Sequence, residues 1–145
     1  MFSRRSTNVL LVEDDDIDAA MLLRAAKTEN GESTISRVAD GSQALDFLRH
    51  QGDFAESPWT DLVLLDLNLP GIDGHEVLKI MKADPDLKAI PVVILTSSNH
   101  ELDVTKAYEG CAAAFVKKPL GRDGYAQLVS SIENFWLRIV ELPSR

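Results

Sequence analysis

Cysteine and basic residues are scarce in this sequence. The single cysteine, Cys111, excludes an internal disulfide, and within the small residues of "GCAAAFV" we expect a packed, unreactive thiol. Only 15 Lys and Arg residues stand against 23 Asp and Glu, which gives a formal net charge of -8. A protein that binds the phosphates of nucleic acid needs clustered positive charge, so this balance argues against that class.

Long apolar runs are also missing. The N-terminal segment "MFSRRSTNVLLVEDD" contains two arginines, but its apolar run is too short for a signal peptide or a membrane span. There is no internal repeat and no low-complexity segment. We therefore expect one globular domain in the cytoplasm, with neither a membrane nor a nucleic acid as partner.

Short apolar runs alternate with helical patterns along the chain. Branched apolar residues predict five strands, and apolar spacing of three and four residues predicts five helices. Strands that alternate with helices form a parallel sheet covered on both faces, so the prediction is a doubly wound (βα)5 domain of the α/β class. The predicted strands are 8–13, 33–39, 61–66, 90–97 and 112–118, and the predicted helices are 17–27, 42–50, 74–84, 101–110 and 122–140.

Polar residues stand where the predicted strands end. In a doubly wound sheet, ligands bind beyond the carboxyl ends of the strands, so these side chains are expected at one edge. Three carboxylates there repel one another unless a cation lies between them, and oxygen ligands with room for water favour Mg²⁺. The residues are Glu13 and Asp14 after the first strand, Asp66 after the third, Thr96 after the fourth and Lys118 after the fifth.

The position of Asp66 predicts a chemical role. A carboxylate beside a divalent ion is placed to attack phosphorus and become an acyl phosphate. The ion and the Lys118 ammonium would neutralise the incoming phosphoryl oxygens, and the Thr96 hydroxyl would donate a hydrogen bond to one of them. We interpret the neighbouring acids of "EDDDID", Asp15, Asp16 and Asp18, as a helix start favoured by the helix dipole.

Other site classes fit less well. A calcium loop needs glutamate at its twelfth position, but counting from Asp14 gives Ala25 and counting from Asp66 gives Val77. A dehalogenase-type phosphatase needs a second acid two residues after the nucleophile, where this chain has Asn68. A flavin-binding module needs a phosphate loop after the first strand, and here that loop is acidic. We interpret three scattered histidines as surface residues: His50, His75 and His100.

Four segments together resemble the receiver domain of a two-component response regulator. They are "LLVEDD", "LLDLNLPGIDG", "VVILTSS" and "AAFVKKPL", and the resemblance extends from about residue 8 to 137. It implies a flavodoxin-like fold with strand order 2-1-3-4-5. It also implies that Asp66 is the phosphoacceptor, that Asp14 and the backbone carbonyl of Asn68 bind Mg²⁺, and that Glu13 acts through a water molecule.

The resemblance assigns further roles around the phosphoacceptor. Thr96 and Lys118 are implied as contacts of the phosphoryl group, and Phe115 is implied as the aromatic residue whose rotamer follows phosphorylation. Phe115 lacks the hydroxyl of the tyrosine often found there, so its change is one of burial and packing. The Lys118–Pro119 peptide is similar to one that is cis in the family.

A narrower resemblance concerns the stand-alone response regulators of bacterial and cyanobacterial phytochromes. It is based on "QGDFAESPWTDLVLLDLNLP", "KADPDLKAIPVVILTSS" and "IENFWLRIVELP". It implies a phytochrome-type sensor histidine kinase as partner and a single receiver domain at 1–145 without an output domain. The protein would not be an enzyme beyond its own phosphorylation and dephosphorylation. It would signal by binding, or, alternatively, pass the phosphoryl group to a histidine phosphotransfer protein or act as an aspartyl-phosphate phosphatase.

The last predicted helix has more apolar residues than one face needs. A single stripe is expected to lie on the sheet: Tyr125, Leu128, Val129, Ile132, Trp136 and Ile139. Phe135 and Val140 widen that stripe, Leu137 is expected to point away from it, and Leu142 continues the apolar character. Exposed apolar clusters often mark interfaces, so we expect a homodimer through this face. The alternative is a tail that folds back over the core of the same domain.

Overall fold

The computed structural model describes residues 6–29 and 33–144, and in them strands and helices alternate as predicted. The strands are β1 (Thr7–Val12), β2 (Ser33–Val38), β3 (Leu62–Leu65), β4 (Val92–Thr96) and β5 (Ala114–Lys117). The helices are α1 (Asp16–Lys27), α2 (Gly41–Arg49), α3 (Gly74–Ala83), α4 (Glu101–Glu109) and α5 (Gly121–Asn134). A short 3-10 helix, Gly52–Phe54, interrupts the loop before β3.

The five strands form one parallel sheet in the order β2-β1-β3-β4-β5. This arrangement confirms the predicted doubly wound fold and its strand order. The order reverses direction at β1, so β1 and β3 leave a crevice between their carboxyl ends. That crevice is where the polar residues of the sequence analysis are expected.

Alternating side chains of the central strands divide the core into two layers. Leu10 and Val12 of β1 point to the face covered by α2, α3 and α4, whereas Val9 and Leu11 point to the face covered by α1 and α5. Residues of β3 and β4 follow the same rule. Strands buried on both faces must be apolar at every position, which explains the continuous runs in the sequence.

Aspartates cap the N-termini of the first three helices. Asp15 accepts hydrogen bonds from the backbone of Ile17 and Asp18, which confirms that it starts α1. Asp40 and Asp73 cap α2 and α3 in the same way. These caps fix the point at which each chain segment turns from the sheet edge into its helix.

The C-terminal helix departs from the expected pattern. After α5 the chain winds into a π-helix, Phe135–Ile139, and the amide of Val140 donates to the carbonyl of Phe135 at 2.8 Å. The wider turn rotates the following side chains. Leu137 therefore packs against the core next to α1 and α5, although we expected it to point away, while Ile139, expected on the buried stripe, is 67% exposed.

Two further expectations fail. Cys111 is exposed rather than packed, because it follows the end of α4 in a left-handed conformation with φ of 74° that turns the chain towards β5. His75 is not a simple surface residue, because its ring is mostly buried and lies 3.2 Å from the carboxylate of Asp103. His50 and His100 are exposed, as expected. Within residues 6–29 and 33–144, no helix is long and apolar enough to cross a bilayer.

Candidate functional site

The strand register brings the polar residues to one edge of the sheet. Val12 of β1 pairs with Leu65 of β3, so Glu13 and Asp66, which directly follow them, leave the sheet side by side. On the other side, Thr96 of β4 pairs with Lys117 of β5. The side chains of Glu13 and Asp66 are 3% exposed, and Thr96 is fully buried. The sequence prediction of a polar edge at the carboxyl ends is thus realised in the fold.

Lys118 lies at the centre of this edge. Its Nζ atom is 2.8 Å from Glu13 Oε1, 2.9 Å from Asp66 Oδ2 and 2.9 Å from Asp18 Oδ2. The side chain is 9% exposed, so the ammonium is satisfied by carboxylates rather than by bulk water. The Lys118–Pro119 peptide is trans, which corrects the expectation of a cis bond. Trans is the favoured form of such bonds, and the ammonium reaches all three acids from it.

Asp18 is a member of the site that the sequence analysis assigned only to a helix start. It stands in the first turn of α1, whose N-terminus faces the same edge as the strand ends. A usable signal was available, since a helix that follows β1 directly must present its first turn to the crevice. Asp16, by contrast, lies outside the cluster and pairs with Arg37 of β2 at 2.9 Å.

Burial and charge shift the pKa values of the two central groups. Burial raises the pKa of Glu13 to about 7, and the nearby Asp66 adds to this effect while Lys118 opposes it. Burial disfavours the Lys118 ammonium, but its hydrogen bonds to Glu13, Asp18 and Asp66 outweigh that effect and raise its pKa. The site therefore holds an excess of negative charge around a single buried cation.

Three carboxylates have the geometry of a cation site. Ligand oxygens of Glu13, Asp14 and Asp66 all lie within 4.8 Å of one another. Glu13 and Asp66 are buried, whereas Asp14 is exposed at the open side of the crevice. An oxygen-only set with excess negative charge and one solvent-facing ligand fits a hard divalent cation that retains water molecules. The residues present therefore suit the metal that the resemblance implies.

Asn68 and Thr96 complete the edge next to Asp66. The Asn68 amide donates to Asp66 Oδ1 at 3.2 Å, and its side-chain nitrogen is 3.5 Å from the Thr96 hydroxyl oxygen. Phe115 lies on β5 and is partly buried against the core next to α2, α3 and α4. Its amide donates to the hydroxyl of Tyr108 on α4 at 3.2 Å. The predicted switch pair, Thr96 and Phe115, thus occupies two adjacent strands.

Gly74 is a further site residue that the sequence analysis did not single out. Its amide donates to the carbonyl of Leu67 at 2.9 Å. A Cβ atom at this position would lie 2.3 Å from the carbonyl oxygen of Asp66 and 2.6 Å from the Cα atom of Leu67. Any side chain there would displace the backbone that presents Asp66, so only glycine allows α3 to start this close.

The fold and this edge define a class of protein. A doubly wound sheet with an acidic cation site, a central-strand aspartate and a lysine at the fifth strand is the arrangement of a receiver domain. The family model described as response regulator receiver domain matches residues 9–130. The chain belongs to the response regulator receiver family. The matched residues form a receiver domain, and no separate enzymatic domain is evident within them.

The relatives include phytochrome response regulators. Response regulator Rcp1 of Synechocystis is 42% identical over 136 residues, which cover 94% of this chain and 92% of Rcp1. The crystal structure of the Mn²⁺-bound form of Rcp1 matches with a TM-score of 0.88 at 41% identity, covering 95% of this chain and 99% of that one. The phosphorylated cyanobacterial phytochrome response regulator RcpA matches with a TM-score of 0.91 at 38% identity, covering 97% and 100%. The narrower resemblance is thereby confirmed.

Proposed function

We propose that Asp66 accepts a phosphoryl group from a sensor histidine kinase and that the phosphorylated domain signals by a conformational change. The observation that carries this proposal is the position of Asp66. It lies 2.9 Å from the Lys118 ammonium, within a cluster of oxygens that suits a divalent cation. Asp66 also accepts a hydrogen bond from the backbone amide of Asn68, whose side-chain nitrogen lies 3.5 Å from the Thr96 hydroxyl oxygen.

Transfer of the phosphoryl group to Asp66 forms one bond at phosphorus and breaks another. An Asp66 oxygen forms the new P–O bond as the P–N bond of the kinase phosphohistidine breaks, and the histidine nitrogen leaves with the electron pair. Lys118 turns from a carboxylate partner into a partner of a phosphoryl oxygen, and Thr96 donates its hydroxyl hydrogen to another. Asp14, Asp66, the Asn68 carbonyl and, through water, Glu13 would hold Mg²⁺, which would supply positive charge to neutralise the phosphoryl oxygens.

The kinase is proposed to be of the phytochrome type. Support comes from the relatives, since Rcp1 covers nearly the whole chain and RcpA is a phytochrome response regulator. The test is to incubate the protein with a radiolabelled, phosphorylated phytochrome kinase and, in parallel, with an unrelated phosphorylated kinase. We expect rapid transfer from the first only. Equal transfer from the two kinases would support the receiver function and contradict the phytochrome partner.

The output is proposed to be protein binding by a stand-alone receiver in the cytoplasm. The similarity to Rcp1 over 92% of that protein supports a single-domain organisation. Onward transfer to a histidine phosphotransfer protein is the second candidate, because the acyl phosphate at Asp66 is itself a phosphodonor. Repeated phosphatase turnover is disfavoured, since Asn68 offers no carboxylate for general acid catalysis.

Asp14 gives a direct test of the cation site. Asp14→Ala removes an oxygen that would bind the cation directly, so we expect Mg²⁺ affinity to fall by roughly tenfold or more, with slower phosphorylation. Isothermal titration calorimetry measures the affinity. Asp16→Asn is the matched control, because it removes a charge two residues further on, at the start of α1, where the partner of the carboxylate is Arg37. Equal affinities of the Asp14→Ala and wild-type proteins would contradict the site.

The switch is proposed to link Thr96 with Phe115. Phosphorylation draws the Thr96 hydroxyl towards the phosphoryl group, and the ring of Phe115 turns into the space that Thr96 leaves. Beryllofluoride with Mg²⁺ imitates the acyl phosphate, and we expect it to shift amide NMR signals from Thr96 to Lys118. The Phe115 amide is the most direct reporter, because it donates to Tyr108. Shifts confined to the neighbours of Asp66 would show that the two residues are uncoupled.

A homodimer is proposed through the surface of the C-terminal helix. Leu137 is covered by the core of its own domain, as the alternative of a folded-back tail required, but Phe135 and Ile139 remain 51% and 67% exposed. Exposed apolar side chains on neighbouring turns suit a symmetric contact between two copies.

Sedimentation tests the dimer. The double variant Phe135→Asp, Ile139→Asp places charge in the proposed contact, and we expect it to be monomeric at tens of micromolar, where the wild type is dimeric. Leu120→Asp is the matched control, because Leu120 is 95% exposed but lies in the loop between β5 and α5. A monomeric wild type, with and without beryllofluoride, would contradict the dimer, and a dimeric double variant would place the contact elsewhere.

A further inference from the structure

A chain of hydrogen bonds links three elements beside the phosphorylation edge. The Ser98 hydroxyl, in the loop between β4 and α4, donates to Asp103 Oδ2 at 2.5 Å. Asp103 stands in the first turn of α4, and its other oxygen is 3.2 Å from His75 Nε2 in the first turn of α3. One carboxylate therefore ties the loop after β4 to two helices.

The same loop contacts the Thr96 hydroxyl. The Ser98 amide is 3.4 Å from Thr96 Oγ1, which also lies 3.5 Å from the Asn68 side-chain nitrogen. Both contacts direct hydrogens at the Thr96 oxygen. If Thr96 turns towards a phosphoryl group on Asp66, the hydrogen bond from Ser98 is kept only when the Ser98 backbone moves with it. The Ser98–Asp103 bond opposes that movement, because Asp103 is fixed within α4.

Asp103 determines which atoms donate and which accept in this chain of hydrogen bonds. Its hydrogen bonds with Ser98 and with His75 lower the pKa of Asp103, so this residue is an ionised acceptor. A carboxylate that only accepts requires the Nε2 atom of His75 to carry a hydrogen. The carboxylate thus receives one hydrogen bond from the loop and one from α3, and hydrogen bonds to an ionised group are the stronger kind.

We propose that Asp103 is a positioning residue that, through Ser98 and His75, holds Thr96 in the conformation of the unphosphorylated protein. The chain restrains the loop between β4 and α4, and its release is a cost of reaching the phosphorylated conformation. The effect on phosphorylation rests on the proposed function of Asp66, whereas the restraint of the loop does not. Breaking the chain should therefore loosen the loop in the free protein and favour the phosphorylated conformation.

Ser98→Ala is the sharpest variant, because it removes one hydroxyl without a change in charge. We expect amide hydrogen exchange at residues 97–100 of the free protein to become about fivefold faster. With Mg²⁺ present, we expect about fivefold tighter binding of beryllofluoride and about fivefold faster phosphorylation by a small phosphodonor. Ser98→Thr keeps the hydroxyl, so it should restore the wild-type values.

Two further variants distinguish loss of the hydrogen bonds to Asp103 from a general loss of stability. His75→Leu breaks the link to α3, and in combination with Ser98→Ala its effect should be less than additive, because both act through Asp103. Arg49→Gln removes an ion pair of similar length, 3.2 Å to Asp84, between α2 and the end of α3. That control should leave exchange at residues 97–100 and beryllofluoride binding unchanged.

The outcomes separate this inference from the proposed function. Wild-type exchange and beryllofluoride affinity in Ser98→Ala would overturn the restraint, and so would equal changes in Arg49→Gln. If the wild type is not phosphorylated at Asp66, the proposed function fails, while faster exchange in Ser98→Ala and its reversal in Ser98→Thr would still support the restraint. Wild-type phosphorylation with no response to Ser98→Ala would leave the proposed function intact and reject the role of Asp103.

Discussion

The Asp66→Asn protein is expected to take up no phosphoryl group from a phosphorylated kinase or from a small phosphodonor with Mg²⁺. The amide cannot form the acyl phosphate, because it lacks the nucleophilic carboxylate oxygen. Labelling should fall to the background of the assay, which is the largest change that any single substitution in this site can cause. Radiolabel on the protein after denaturing electrophoresis is the measurement, and its lability to base identifies an acyl phosphate.

Asp61→Asn is the matched control for this experiment. Asp61 is also an aspartate that is 3% exposed, and it directly precedes the same strand at the opposite end of the sheet. Its carboxylate accepts a hydrogen bond from the Asn8 amide at 2.9 Å, which asparagine can still accept. The control should be labelled like the wild type. Persistent acid-stable label on Asp66→Asn would identify another acceptor, such as a serine or threonine hydroxyl, and reject the assignment.

The fold could be predicted from the sequence because its central strands are buried on both faces. Each of the segments "VLLV", "LVLL" and "VVILT" is fully or almost fully apolar, and only a sheet covered on both sides requires this. The polar residues that follow these runs then had to meet at one edge. Glu13, Asp66, Thr96 and Lys118 were predicted together on that reasoning, and the structure places them at the same edge.

Other features depend on geometry that sequence periods do not contain. Asp18 joins the site because the first turn of α1 faces the crevice, which follows from the topology of the sheet and not from the helical period. Leu137 and Ile139 exchange sides because one π turn changes the helical period, whereas the prediction assumed 3.6 residues per turn. The pairing of His75 with Asp103 joins two helices that are separated by a strand, so no local pattern reveals it.

The second large effect is expected from Lys118→Met. The substitution keeps the length of the side chain but leaves Glu13, Asp18 and Asp66 without the cation that lies within 2.9 Å of each of them. Removal of one partner from a buried ionic cluster costs about 3–5 kcal/mol, because the remaining charges stay desolvated and unpaired. We expect the free energy of unfolding at pH 8 to fall by about that amount, and phosphorylation to be severely impaired.

Lys82→Met is the control for loss of a buried lysine stem. The Lys82 ammonium donates to the carbonyls of Lys88 and Ile90 at 2.9 Å and is remote from the acidic cluster. Its substitution should lower stability by a smaller amount, and the loss should not respond to Mg²⁺. This comparison separates the electrostatic role of Lys118 from its packing.

Glu13 determines whether the stability of the domain rises or falls with pH in this range. Its pKa rises from 4.5 to about 7 on folding, so this group contributes stability that is fully present below pH 4.5 and is lost as the pH rises through about 7. Lys118 opposes that rise, and its removal therefore raises the pKa of Glu13 further. The destabilisation in Lys118→Met should accordingly be smaller at pH 5, where Glu13 is protonated and only Asp18 and Asp66 lose a charged partner, than at pH 8. Because Mg²⁺ supplies the missing positive charge, it should stabilise Lys118→Met more than the wild type at pH 8. Urea unfolding at the two pH values, with and without Mg²⁺, measures both effects on the free energy of unfolding. An equal loss at both pH values with no response to Mg²⁺ would show that Lys118 acts through packing alone.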